Sequence, residues 1–447
     1  MSLLKSTALL LFGIALHLPG SAQAQDKLTL EQAIQFGLQH NYDIRIVTKE
    51  QKINENNVTL GNAGFLPSVD ARYTRDFAKN DIRNQFENNE PRIVDNSTTR
   101  GSNGSVLLSW TLFDGGRMFI NHNRLQALER SGAFFNKATI ETAVADIITA
   151  YHDVVRNARK INSIEDAIAI SEQRVNITQE QFNVGVSAKV EILRAQVDYN
   201  ADRAELLRQL ELLQNSKINL NQLLGRDPNI DFLVDNIIEV TNDLKLATVN
   251  EQLLSSNPLL QRLRLNRDIA LYDLRSTRAL RLPEVGLAAS YGRNRSLQDP
   301  VIFGNTVGTN ESTRQGFNYG LTISMPIFNG LEINRQVQNS RIAVEANTLA
   351  LQREQNALQS DMSRAYTRYQ NRLQLLELEE SNLILAKQNA EIAMERYRLG
   401  LLTAIELREA QRNQLVAETR LIDIQFEAKV AETELKRIGS TLLNEVN

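Results

Sequence analysis

The residues able to do chemistry in this chain are few, and most are carboxylates. Glu406 and Glu409 stand three positions apart, the spacing that puts two side chains on one face of a helix. Glu191 holds the position matching Glu406 in a similarly spelled stretch 215 residues upstream. Because 23% of all residues are charged, the plain alternative is a solvated helix face carrying chance acids. Histidine occurs only at His17, His40, His122 and His152, and the last, beside Tyr151 in a helical tract, is expected on the surface. Cysteine is absent, which excludes disulfides, cysteine-ligated zinc and a cysteine-linked lipid anchor. No triad-like grouping, HExxH motif or glycine-rich phosphate loop is present. The expectation is a protein that is not an enzyme and takes no cofactor or metal. A formal charge of −3, with no polybasic block, excludes a nucleic-acid binder that works by neutralising phosphates.

The elements that carry these residues begin behind an export signal. Lys5 precedes an apolar run from Thr7 to Leu18, and Ala22-Gln23-Ala24 supplies small residues for cleavage before Gln25. A signal peptide over 1–24 is therefore expected. Beyond it no run of 18 apolar residues exists, so any membrane crossing falls to β-strands.

The rest of the chain is written twice. Asn41 matches Asn257 and Leu66-Pro67 matches Leu282-Pro283, both at an offset of 216. Leu112-Phe113-Asp114-Gly115 matches Ile327-Phe328-Asn329-Gly330, and Phe182-Asn183-Val184-Gly185 matches Tyr397-Arg398-Leu399-Gly400, both at 215. Four landmarks in one order make a tandem duplication, with repeats over 25–225 and 249–440, a linker over 226–248 and a tail over 441–447.

Each copy reads as helix, strand, polar loop, strand, long helix, tight turn and returning helix. Proline is absent from Arg92 to Asp227 and from Ile327 onward, which permits uninterrupted helix, since an interior proline costs about 3 kcal/mol. Ile140, Ile147, Val154, Ile161, Ile168, Val175 and Phe182 recur every seven residues, as do Met362, Tyr369, Leu376, Leu383, Ala390 and Tyr397. This repeat predicts coiled-coil seams. The 67 residues from Gly116 to Phe182 make a rod of about 100 Å. Gly185 and Gly400 interrupt these tracts and mark tight turns.

Four stretches alternate with a period of two. Phe317, Tyr319, Leu321, Ile323, Met325 and Ile327 form one apolar face; Val285, Leu287, Ala289 and Tyr291 a second; Val69, Ala71 and Tyr73 a third; Val106, Leu108, Trp110 and Leu112 a fourth. Lengths of about ten residues suit tilted membrane strands, and the opposite faces are polar or small, as a wet lumen requires. Four strands cannot close a barrel, so a membrane reading demands several copies. The polar segments Ala78 to Asn103 and Asn294 to Gln315 read as exposed loops.

Trp110-Thr111-Leu112-Phe113-Asp114-Gly115-Gly116, its partner Met325 to Gly330, and the tip stretches Phe182 to Gln196 and Tyr397 to Gln411 together resemble the TolC-like outer-membrane efflux protein family over essentially the whole mature chain. The resemblance implies a mainly α fold with a membrane β-barrel. Tandem-duplicated antiparallel coiled coils form a periplasmic α-barrel, and four strands from each subunit of a homotrimer close a twelve-stranded barrel. It implies an outer-membrane location in a Gram-negative bacterium. It also implies partnership with a periplasmic adaptor and an inner-membrane transporter, with lipid around the barrel and no nucleic acid. Phe317, Tyr319, Leu321, Ile323 and Trp110 then face lipid. Phe182, Gly185, Tyr397 and Gly400 belong to the tip presented to the adaptor. Glu406 and Glu409, with Glu191, become rings of acid at the periplasmic gate that favour cations. The resemblance further implies polar links between neighbouring coils, Tyr397 with Glu191 as its partner. Leu402 stands where the family carries a basic residue, and Lys189 lies nearby in the other copy. The alternative is an exported coiled-coil structural or surface protein, which explains the signal and heptads but not the four strands.

Overall fold

The computed structural model describes residues 27–85, 90–303 and 306–444, so the expected signal peptide lies outside the described residues. The first copy runs from a two-residue strand β1 (Lys27–Leu28) through α1 (Leu30–His40), α2 (Tyr42–Asn57) and the short α3 (Leu60–Ala63). It continues as β2 (Ser68–Asn84), β3 (Arg92–Asp114), α4 (Arg117–Asn183) and α5 (Lys189–Leu224). After β4 (Leu233–Val234), the second copy repeats the plan as α6 (Leu246–Ser256), α7 (Pro258–Ala279), β5 (Glu284–Phe303), β6 (Thr306–Ser324), α8 (Glu332–Arg398) and α9 (Ala404–Ile438).

The duplication extends to single hydrogen bonds. Asn41 caps α2 by accepting from the Ile44 amide at 3.1 Å and donates to the Leu223 carbonyl at 2.7 Å. Asn257 caps α7 by accepting from the Leu259 amide at 3.0 Å and donates to the Ile438 carbonyl at 3.0 Å. In both copies one buried amide therefore starts an early helix and ties it to the end of the returning helix, satisfying terminal groups that have no partner within their own helix.

Helices α4 and α8 each hold 67 residues without interruption, about 100 Å of rod. Their returning partners α5 and α9 hold only 36 and 35, so they accompany the tip-ward part of each rod. The remainder of each rod packs against α7, with α2 also against α4. The core sits where these helices meet at mid-height. Ile147, Tyr151 and Val154 of α4 pack with Ile34, Leu220, Leu224 and Phe232, while Met362 and Tyr369 of α8 pack with Leu253, Leu260 and Leu435.

The expected seam on α4 does not run straight to the tip. Ile147, Val154 and Ile161 are buried, yet Ile168 and Val175 are only half-buried and Phe182 is exposed. Ser171, Arg174 and Thr178 take the buried positions instead. Toward the tip α4 meets different neighbours, Arg174 pairing with Asp198 of α5 and Thr178 meeting Tyr397 of α8, so a different face is covered there.

Strands β2, β3, β5 and β6 form one antiparallel sheet in that order. They are longer than the apolar patterning predicts, at 17, 23, 20 and 19 residues. Most of the two segments read as loops is thus paired strand: β2 runs on to Asn84, β3 already begins at Arg92, and β5 reaches Phe303. Backbone pairing needs no apolar side chains, so a hairpin extends beyond its greasy band. At the other end β6 stops at Ser324, leaving Met325 and Ile327 outside it and Ile327 97% exposed. Pro326 has no amide to donate.

Candidate functional site

Two regions carry the expected functional residues, the helical tip and the sheet. At the tip each rod ends in the same motif. Val186 donates to the Gln181 carbonyl at 2.9 Å and Leu401 to the Arg396 carbonyl at 2.8 Å, the six-to-one bond of a Schellman turn. Gly185 and Gly400 sit at φ +81° and +72°, and no atom lies within 4 Å of where a Cβ would stand. Backbone handedness alone therefore calls for glycine at both.

The three acids do not share one role. Glu406 is the third residue of α9 and closes a capping box: its carboxylate accepts from the Thr403 amide at 2.9 Å and the Thr403 hydroxyl at 2.6 Å. These bonds hold its pKa below the usual carboxylate value. Glu191 stands at the same place on α5, but its N-cap is Ala188, which has no hydroxyl, and the carboxylate pairs with Arg194 at 2.7 Å. Glu191 and Glu409 line a common cleft of about 850 Å³ between α5 and α9, together with Arg194, Asp198 and Arg412. Glu406 lies outside that lining.

Tyr397 is buried, but its partner is not Glu191. Its hydroxyl meets the Thr178 hydroxyl at 2.8 Å, joining α8 to α4. Glu191 is drawn away by Arg194 one turn along its own helix. A bidentate link between the coils lies at residues that the sequence pattern does not single out. Arg408 of α9 donates to both carboxylate oxygens of Asp202 on α5, at 2.9 and 2.7 Å, and its Nε lies 3.8 Å from Asp198. The hydrogen bond to Asp202 raises the Arg408 pKa, and burial opposes it. Asp198 in turn pairs with Arg174 of α4, which is 2% exposed. A break in the repeat was the available signal, because Arg408 falls where the first copy has Leu193. Near the tip, hydroxyl contacts and ion pairs thus join a small apolar cluster of Ala393, Tyr397, Leu407 and Ala410, where at mid-height larger aliphatic clusters hold the helices.

His152 also departs from expectation. It is 4% exposed and bonded to the Ile148 carbonyl at 2.8 Å. Burial pushes its pKa down to about 4, and Lys429 acts the same way.

In the sheet, the register aligns the apolar patterns on one face, except that a bulge at Leu112 puts Phe113 in its row instead. Val69, Leu108, Ala289 and Tyr319 lie side by side, as do Ala71, Val106, Tyr291 and Phe317. Trp110, Leu287 and Leu321 form the next row, then Phe113, Val285 and Ile323. Phe317, Tyr319, Leu321, Ile323 and Trp110 are all exposed in the single chain, and the Trp110 indole donates to the Phe65 carbonyl at 2.9 Å. The opposite face carries Asp70, Arg72, Ser105, Ser290, Gly292 and Asn318. Neither β2 nor β6 has a second neighbour within the described residues, so the sheet ends in two open edges. Among the described residues no helix is long and apolar enough to cross a membrane.

Known proteins share this plan. The chain is 23% identical over 360 residues to protein CyaE of Bordetella pertussis, covering 78% of this chain and 70% of that protein. It is 24% identical over 427 residues to the toluene efflux pump outer membrane protein TtgC of Pseudomonas putida, covering 92% and 82%. The outer membrane channel CmeC of Campylobacter jejuni superposes with a TM-score of 0.74 at 17% identity, over 92% of this chain and 85% of that one. The outer membrane protein VceC of Vibrio cholerae gives 0.71 at 17% identity, over 92% and 96%. These two structures share the fold of paired long helices joined to a four-stranded sheet. The family described as outer membrane efflux protein matches residues 33–226 and 249–439, both copies of the repeat, and the chain belongs to that family.

Proposed function

We propose that this chain is one subunit of an outer-membrane channel-tunnel, a passive exit duct for an efflux pump or a type I secretion system. The observation that carries the reading is the union of an open-edged four-stranded sheet, apolar on one face, with two 67-residue helices. Three copies close a twelve-stranded barrel, removing every open edge, while their helices pack into a tube below it. The family's description supports an outer-membrane location. The names of its relatives span both uses of such a duct, toluene efflux for TtgC and alkaline protease secretion for AprF of Pseudomonas aeruginosa. A coiled-coil structural protein leaves the sheet and its apolar face without a purpose.

In this reading the chain divides into repeats over 25–225 and 249–440, joined at 226–248 and followed by the tail 441–447. A periplasmic adaptor and an inner-membrane transporter meet the turns around Gly185 and Gly400, with Phe182 exposed beside them. Threefold symmetry gathers Glu406, Glu409 and Glu191 into acidic rings at the gate. The capped geometry supports this for Glu406, which stays ionised near neutral pH. The link from Tyr397 to Thr178 and the ion pairs of Arg408 hold the tip closed, in place of the basic residue that Leu402 replaces.

Electron microscopy of the mature protein extracted from the outer membrane tests the assignment. The expected particle is threefold, with a short barrel and a tube of about 100 Å; a soluble rod without a barrel would overturn it. Replacing Glu406 and Glu409 together by Ala is expected to weaken cation preference in planar-bilayer recordings. Unchanged ion selectivity would remove both from the gate.

A further inference from the structure

Past the apolar rows, the outward face of the sheet changes character in a direction-dependent way. The row after Phe317 holds Tyr73, Gly104, Arg293 and Gln315, and the next holds Arg75, Ser102, Arg295 and Thr313. Beyond these come Phe77, Arg100, Leu297 and Glu311, then Lys79, Thr98 and Asp299. Arg75, Lys79, Arg100, Arg293 and Arg295 are thus set against only Asp299 and Glu311, and all five bases are exposed. Glu311 is taken by Arg295 at 2.6 Å, and Asp299 accepts from Thr309 at 2.8 Å. Among the described residues, Arg75, Arg100 and Arg293 enter no ion pair. Gly104 and Ser102, two small residues of β3, stand between the bases of β2 and those of β5, and the Arg75 guanidinium lies over the Phe77 ring at 5.0 Å.

Two contrasts set this patch apart. In the matching rows of the opposite face, only Arg72 and Arg314 are basic and Asp76 stands among them, so the excess of bases there is one against three on the outward face. At the helical end of the outward face, the rows of Trp110, Val285 and Ile323 carry no charge at all. The basic rows lie at the hairpin end, away from the helices, and start about 7 Å along the strand from the last apolar row. Given the membrane reading above, on which this inference rests, that level is the headgroup layer of the outer leaflet.

We propose that this basic patch is a docking surface for a phosphate-bearing glycolipid of the outer leaflet. Arg75, Arg100 and Arg293 take the phosphates through paired N–H donors, and Tyr73 and Phe77 lie against the sugar and upper acyl region. Such contacts orient the barrel in depth and seat one lipid against each copy.

The test uses full-length protein purified from the outer membrane in detergent, with binding followed by native mass spectrometry. The probes are bisphosphorylated lipid A, the same lipid enzymatically dephosphorylated, and inorganic phosphate. The variant carrying Arg75→Gln, Arg100→Gln and Arg293→Gln is expected to bind bisphosphorylated lipid A on the order of a hundredfold more weakly, at about fivefold per charge. Arg72→Gln with Arg314→Gln, on the opposite face, is expected to leave binding unchanged. Equal affinity of the triple variant, or equal binding of dephosphorylated lipid, would overturn the proposal, as would complete displacement by millimolar phosphate, which marks a plain phosphate site. Should the triple variant fail to assemble, Arg293→Gln alone is expected to lose about fivefold, and no loss would count against the site. Membrane fractionation separates the two readings. Wild type absent from the outer membrane removes both, whereas wild type present there without phosphate-dependent binding removes only the lipid site.

Discussion

Glu406 is held in the cap of its helix, whereas Glu409, three residues on, lines the cleft beside Arg412. The same spacing thus serves two physical ends, and two positions distinguish the copies: Thr403 caps Glu406 where the first copy has Ala188, and Glu409 stands where the first copy has Arg194 to pair with Glu191. Arg408 is the side chain on which the two coils depend most directly near the tip. Arg408→Ala leaves Asp202 without its partner, and an interaction of about 1 kcal/mol lost shifts the closed–open equilibrium about fivefold. Single-channel recordings are expected to show a larger open fraction, and an unchanged one would assign the closure elsewhere. His152 makes a separate prediction about pH. Its folded-state pKa of about 4 lies below the ordinary 6.5, so between these values the unfolded chain binds a proton that the folded chain refuses. Its contribution lowers stability as pH falls from about 6.5 to about 4, by up to roughly 3 kcal/mol, and is absent above that window. In His152→Gln the drop in apparent melting temperature between pH 7.5 and 4.5 is expected to shrink; an equal drop would clear His152.

At the scale of elements, the duplicated plan is not equally comfortable in both halves. The turn from β3 into α4 places Gly116 at φ +84°, while the turn from β6 into α8 places Leu331 at φ +65°. A branched side chain in that region costs about 1–3 kcal/mol. Leu331→Gly is therefore expected to raise stability by about 1 kcal/mol after glycine's greater entropy loss is counted, read as a higher denaturation midpoint. A lower midpoint would show that Leu331 is needed for contacts between copies. The rods divide in a comparable way. Their mid-height faces are aliphatic, and α4 near the tip presents Ser171, Arg174 and Thr178. Aliphatic packing is hard to exchange, whereas ion pairs and hydroxyl contacts re-form with other polar partners or water, so the same helix is anchored in one half and releasable in the other.

For the whole molecule, the open edges of β2 and β6 are the decisive feature, since an isolated sheet with an exposed apolar face and unpaired edges aggregates. In the proposed trimer, closure into a barrel removes the edges and leaves the apolar face to lipid. Leu321 lies in the middle of that face, and Leu321→Arg there is expected to cost about 2–4 kcal/mol of membrane insertion. Loss of heat-resistant oligomers on gels is the expected result. A variant that assembles normally would show that this face does not meet lipid.

Much of this architecture follows from local rules that a sequence states openly. Periods of two and of seven, long proline-free tracts and glycines at two turns specify strands, rods and tips, because each depends on neighbours a few residues away. The repeat offset added the order of elements. What the tertiary structure alone decided are pairings across long separations. Asp202 is 206 residues from Arg408, and Thr178 is 219 from Tyr397. No periodicity encodes such partners, since they arise from how two coils lie against each other. The buried place of His152 and the turn of the α4 seam toward Ser171 and Arg174 have the same origin, for the elements packed around the rod at each height decide which of its faces are covered. The basic patch is likewise invisible until register sets Arg75, Arg100 and Arg293 on one face, because their rows exist only across three strands.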